Sequence, residues 1–288
     1  MNGLAAAILS SALGGSSGAI TRYVIGASDA VTLAAFRFGI GVLFILPLAL
    51  ALGVKWPKGR DLAVVAFLGV LFFAFFFFLY NQALSYTTAA RGSLALSTLP
   101  LTTMMIAALF GKEALTKRKS TGVLIAIGGA ALSLWTGLAE APAGAWRGDL
   151  IMVAATVCMA FYTIWSRPLM ARSSLLGFLA TGMAFGAVAS VSLSFLTQGY
   201  QKVETFGAPQ WWAVILLGVL GGAAAFYLWV YALERTTPTR VANTMAVNPI
   251  AASLLAAVLI GEPLGWHLAL GIGAVGAGIW LASTEAKA

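Results

Sequence analysis

Long apolar stretches separated by short polar turns run the whole length of this chain. Broken at Gly, Pro and charge clusters, the pattern predicts helices near residues 4–25, 30–52, 62–84, 89–110 and 120–138. A second set follows near 148–166, 174–197, 211–233, 239–260 and 266–283. The apolar runs are continuous, whereas the strands of a membrane barrel would alternate apolar and polar positions, so the elements are helices. A hydrocarbon core about 30 Å thick needs about 20 apolar residues per helix, and each run approaches that length.

The pattern also repeats. Residues 69–133 slide by 149 positions onto residues 218–282 without a gap. Gly69-Val70-Leu71 falls on Gly218-Val219-Leu220, and Thr87-Thr88 on Thr236-Thr237. Arg91 meets Arg240, Pro100 meets Pro249, Glu113 meets Glu262 and Gly122 meets Gly271. Matching Arg, Pro and Glu cannot come from shared greasiness. Each half is therefore one structural unit, and the two together build the protein.

Composition makes the membrane reading firm. The chain is 60% hydrophobic and 9% charged, against about 25% charged in soluble domains. Its lone cysteine, Cys158, excludes an internal disulfide framework and offers no metal cluster. Met1–Ile25 lacks a basic leader and a cleavage site, so it reads as the first helix. The net charge of +8 could suggest nucleic acid, but the basic residues lie in short loops beside apolar segments. That is the mark of membrane orientation.

Charge and parity together set the topology. Lys55, Lys58, Arg60, Lys112, Lys117, Arg118, Lys119, Arg167, Arg172, Arg235 and Lys287 share the side of the N-terminus. The other side holds only Arg147 and Lys202, while Arg22, Arg37, Arg91 and Arg240 lie within or at the tips of helices. Both termini are thus expected in the cytoplasm. Five helices per half is an odd number, so the second copy enters the membrane upside down. The expected fold is an all-α integral membrane protein, with ten transmembrane helices arranged as two inverted five-helix repeats. Residues 1–138 form one repeat, 139–146 the linker, and 147–288 the other. Inverted repeats recur in secondary transporters, where rocking opens a central site to each side in turn.

The hinge Ala83-Leu84-Ser85-Tyr86-Thr87-Thr88-Ala89-Ala90-Arg91 is followed by Pro100 and by Gly111-Lys112-Glu113-Ala114-Leu115. It recurs as Ala232-Leu233-Glu234-Arg235-Thr236-Thr237-Pro238-Thr239-Arg240, Pro249 and Gly261-Glu262-Pro263-Leu264. In this pattern, over its whole length, the chain resembles the drug/metabolite transporter superfamily, and specifically its ten-span amino-acid and metabolite exporters. The resemblance implies export across an inner membrane, and it places helices 3, 6 and 8 around a central cavity.

Candidate chemistry lies mainly near two prolines. Pro100 and Pro249 each remove a backbone donor at mid-helix and displace the carbonyls of Leu96 and Met245, making them candidate gating residues. Ser97 and Thr98 lie beside the first, and Thr244 and Asn248 beside the second, as candidate substrate contacts; hydroxyls and amides can equally mend or glue helices. Tyr80, Tyr162, Trp165 and Tyr227 stand on helices 3, 6 and 8 away from the interfacial belt that accounts for most tryptophans. Arg37 is the one charge well inside a helix, and Gly182 aligns with it in the other half. It either holds a substrate carboxylate or ties helices together through exposed carbonyls. Arg91 and Arg240 read as hinge anchors. Glu113 and Glu262 each precede a helix whose positive N-terminus suits a carboxylate.

The absences narrow the choice. No carboxylate lies near a predicted midplane, no phosphate-binding loop is present, and no metal or acid–base constellation marks a membrane enzyme. The expected function is secondary transport of small metabolites, amino acids including aromatic ones foremost, by alternating access, with neither cofactor nor metal. A lipophilic drug or quaternary-cation exporter is the alternative. The expected partners are the small-molecule substrate and the lipid bilayer, with no nucleic acid and no ATPase subunit; the expected unit is a monomer.

Overall fold

The structure is a computed structural model that describes residues 2–87, 89–133, 135, 143–251, 254 and 266–283. In chain order the helices are α1 (Gly3–Ile25), α2 (Ala30–Ala51), α3 (Arg60–Tyr86) and α4, which comes in two pieces, Ala89–Leu96 and Leu99–Leu109. Next come α5 (Lys117–Ser133), α6 (Ala145–Arg172), α7 (Leu175–Leu196), α8 (Ala208–Arg235), α9 (Pro238–Asn243) and α10 (Trp266–Ser283). Among the described residues there is no strand. Among those residues seven helices, α1 to α4 and α6 to α8, are long and apolar enough to cross a membrane. Much of the expected span 239–260 lies outside the described residues, as do the end of span 120–138 and linker residues 139–142.

Local chemistry sets the helix starts. The Asp29 carboxylate accepts from the backbone N–H groups of Val31 and Thr32, both at 3.0 Å, and begins α2. Ser174 caps α7 by accepting from Gly177 N–H at 3.1 Å. Pro238 stands in the first turn of α9, where its missing N–H is harmless. Helix α6 runs past its expected end at residue 166 to Arg172 and carries Pro168 inside it, where one backbone donor is missing.

The two mid-helix prolines do break their helices. A turn at Ser97-Thr98 divides α4, and Pro100 opens the second piece. Before Pro249, α9 tightens into a 3-10 turn, Thr244–Val247. There the Met245 carbonyl is not left free as expected, because it accepts from the backbone N–H of Asn248. Helices α3 and α8 carry a further irregularity that the sequence did not announce: each contains a widened π-helical stretch, Val70–Phe76 and Leu217–Ala224. Such stretches are rare and often mark functional positions.

An aromatic nest fills the core. Phe72, Phe73, Phe76 and Phe77 are buried, while Phe75 is half exposed, so the phenylalanine run on α3 presents one face inward. The Phe38 ring meets Phe77 edge-on at 4.6 Å, and Tyr162 stacks on Phe72 at 4.3 Å. Elsewhere small residues let backbones touch. A Cβ on Gly278 would stand 2.6 Å from the Gly122 carbonyl oxygen, and one on Gly271 would stand 2.8 Å from that of Gly129. Shifted by 149 positions, Gly122 becomes Gly271 and Gly129 becomes Gly278. Each glycine on α5 therefore abuts the counterpart of the other on α10, a reciprocal contact.

Candidate functional site

A narrow cavity lies where α1, α2, α3, α8 and α9 converge, with Leu96 of α4 and Met159 of α6 completing its wall. About 40 Å³ is open to the centres of water-sized molecules, enough for about three waters. The residues around it form pairs separated by the repeat shift. Phe76 pairs with Ala225, Phe77 with Phe226, Tyr80 with Trp229, and Leu96 with Met245. The polar exceptions, Arg37 and Asn248, have no counterpart on the wall.

Arg37 is buried, yet no carboxylate pairs with it among the described residues. Its Nε and Nη2 donate to the Gly221 carbonyl at 3.2 and 2.8 Å, and the guanidinium lies over the Phe77 ring at 4.6 Å. Gly221 belongs to the π-helical stretch of α8, where an added Cβ would stand 2.3 Å from Ser17 Oγ and 3.0 Å from Arg37 Nη2. One carbonyl takes two of the five guanidinium N–H donors. Arg37 thus ties α2 to α8 and still has donors at the cavity wall.

Asn248 is also buried. Its amide nitrogen meets the Met245 sulfur at 3.4 Å, while its Oδ1 has no protein partner among the described residues. Helix α1 presses close here: a Cβ on Gly14 would stand 3.6 Å from both amide atoms, and one on Gly15 would collide with the Asn248 backbone. Trp229 is fully buried, and its indole N–H likewise lacks an acceptor. A buried donor or acceptor left unpaired costs about 1–3 kcal/mol. Two of them on one cavity wall are groups waiting for a ligand or a water.

Arg37, Tyr80 and Asn248 are the expected site residues that line the cavity. The others lie elsewhere. The Ser97 hydroxyl donates to the Ser93 carbonyl at 2.9 Å, and that of Thr98 to Ala95 at 2.7 Å, so both bond within their own helix around the break. Thr244 shares a 2.8 Å hydrogen bond with Ser11 and joins α9 to α1. Tyr162 is buried against Phe72, its hydroxyl unpartnered among the described residues. Trp165 stacks on Phe161 at 5.0 Å near the end of α6, and Tyr227 packs near Tyr231. Sequence reasoning passed over Trp229. The signal was present, because the repeat shift lays Trp229 on Tyr80.

Ionic contacts stand toward opposite ends of the bundle. At one end Arg91 pairs with Asp149, which also accepts from the Thr87 hydroxyl at 2.8 Å. At the other, Glu113 binds Lys119 at 3.0 Å and accepts from the Thr239 backbone N–H at 3.1 Å. Glu113 therefore serves the N-terminus of α9 in the other half, not that of the helix following it. Glu262 lies outside the described residues.

A family model for EamA-like transporters matches this chain twice, over residues 1–135 and 146–284. The chain belongs to the EamA-like transporter family, part of the drug/metabolite transporter superfamily. Its similarity to individual relatives is distant but long. An uncharacterized transporter of Archaeoglobus fulgidus is 23% identical over 90% of this chain and 91% of its own. A probable terminal-alkyne amino-acid exporter of Streptantibioticus cattleyicolor is 29% identical over 80% of this chain and 76% of its own. A solved crystal structure superimposes with a TM-score of 0.75 at 23% identity, covering 98% of this chain and 95% of that one, a likeness of fold. The EamA family and these relatives are transporters, and the several apolar helices agree with a multi-pass membrane protein.

Proposed function

We propose that this EamA protein is a secondary transporter that exports small metabolites, amino acids foremost, across the inner membrane by alternating access. Its ten spans form two inverted halves, 1–138 and 147–288, joined by 139–146, with both termini cytoplasmic. The observation that carries the reading is the pairing of cavity residues across the repeat shift. A site on the axis between two inverted halves is the one place that rocking can expose to either side. The twofold family match and the reciprocal glycine contacts of α5 and α10 support the same arrangement.

Amino acids suit the wall. The spare Arg37 donors can take a carboxylate, the unpaired Asn248 Oδ1 can accept from an ammonium group, and Phe77, Phe226, Tyr80 and Trp229 can flank an apolar or aromatic side chain. A lipophilic-cation exporter would use the same rings, but the buried Arg37 charge repels a cation from this cavity. The cavity is too narrow here for a metabolite, so entry requires the helices to part. Pro100, Pro249 and the two ionic contacts are the elements that would move. Counterflow in proteoliposomes tests the reading. Saturable exchange of amino acids, lost on Arg37→Gln, is expected. Transport confined to quaternary cations overturns it.

A further inference from the structure

A second site lies at the end of the bundle where α3 begins and α6 ends. It is a cleft of about 360 Å³ lined by Arg60, Asp61, Lys112, Trp165 and Arg172 together with apolar side chains. Three cations against one carboxylate leave it positive. Arg172 is held by Asp61 through Nε at 2.7 Å and Nη2 at 2.8 Å. The Arg60 and Lys112 side chains make no hydrogen bond or ion pair among the described residues, and both are exposed. Local structure fixes Lys112 in place. Gly111, at φ 61°, ends α4 in a left-handed turn whose N–H bonds the Ala108 carbonyl at 3.0 Å, while Lys112 N–H bonds that of Ala107 at 2.7 Å.

The aromatic part of the lining is Trp165. Trp165 stacks on Phe161 and takes the edge of Phe110 at 5.0 Å, and Phe110 is half exposed. Its indole N–H has no acceptor among the described residues. Cations, an indole donor and an apolar surface thus meet at helix ends, the depth at which bilayer headgroups lie. Free phosphate would use the cations but not the aromatic wall.

We propose that this cleft holds the phosphate of an anionic phospholipid between Arg60, Lys112 and Arg172, with an acyl chain along Trp165 and Phe110. Basic pockets between membrane helices on the cytoplasmic side take such headgroups, and the loop charges put this end in the cytoplasm. The site is separate from the central cavity, and binding there does not depend on what the protein transports.

Native mass spectrometry of the purified full chain, released from micelles carrying phosphatidylglycerol or phosphatidylcholine, tests it. Phosphatidylglycerol should be retained in preference. The double variant Arg60→Gln/Lys112→Gln should hold it about thirty-fold more weakly, the combined effect of two cations beside an anionic surface. Asp61→Asn should hold it more tightly, since it releases Arg172 and removes the one negative charge; general destabilisation could not produce that gain. Equal retention of the two lipids, or retention unchanged in the double variant, overturns the proposal. So does full displacement by millimolar inorganic phosphate at matched ionic strength, which would make this a free-anion site.

Discussion

At the scale of single residues, the decisive features are unpaired atoms. Asn248 Oδ1 and Trp229 Nε1 are buried on one cavity wall with no protein partner among the described residues. The folded state gains nothing from them, and a substrate would. Asn248→Ala should therefore weaken substrate affinity by about 1–2 kcal/mol, roughly five- to thirty-fold. Trp229→Phe removes the N–H while keeping an aromatic face, and it should weaken affinity several-fold with a thermal midpoint close to that of the native chain. Substrate titration and thermal unfolding of the purified variants check both. Arg37 differs, because it already bonds Gly221. Arg37→Gln should lower both affinity and stability, since it unties α2 from α8 as well as removing a charge.

At the scale of elements, backbone proximity decides what can change. Helices α5 and α10 meet through Gly122, Gly129, Gly271 and Gly278, where an added Cβ would strike the facing backbone. Gly278→Leu should wedge them apart and destabilise the protein by about 1–3 kcal/mol. On the same two helices Gly128 and Gly276 have nothing within 4 Å of an added Cβ. Gly128→Ala and Gly276→Ala should instead raise stability by about 0.5–1 kcal/mol, because alanine loses less backbone entropy in a helix. Thermal unfolding in detergent distinguishes the pairs, and a uniform response to all these changes would refute the packing argument. The breaks before Pro100 and Pro249 belong to this scale too. Pro100→Ala should restore a continuous α4 and lower turnover more than affinity, as measured by transport kinetics.

For the whole molecule, the proposed transport has the two halves moving against each other. The Arg91–Asp149 contact and the Glu113 contact with Lys119 and Thr239 close opposite ends. Asp149→Asn and Glu113→Gln should favour opening in opposite directions. With Cys158→Ser as background and Ser10→Cys reporting on the cavity, an impermeant thiol reagent should label the two variants from opposite sides of the membrane. Labelling from the same side in both would exclude the alternating arrangement. Reporter fusions in the loops before Lys117 and at Lys202 should likewise give opposite signals, as the asymmetry of loop charge requires.

The chain alone determined its helical, membrane-embedded character, the positions of most helices and the duplication. Those follow from apolar run length and from identities 149 positions apart, both one-dimensional properties. It also marked Pro100 and Pro249 as places where helices fail, because a missing N–H acts locally whatever surrounds it. The helix face that each side chain presents to the cavity could not be read in the same way. Ser97, Thr98 and Thr244 looked equivalent to Asn248 by position, yet their hydroxyls find acceptors close by, whereas Asn248 Oδ1 does not. Hydrophobic periodicity does not encode the π-helical stretches of α3 and α8, and the one in α8 contains Gly221, whose carbonyl meets Arg37. Trp229 entered the site only because two helices far apart in sequence lie side by side. Which polar groups stay unpaired is a property of three-dimensional packing, and that is why the tertiary structure decided the site.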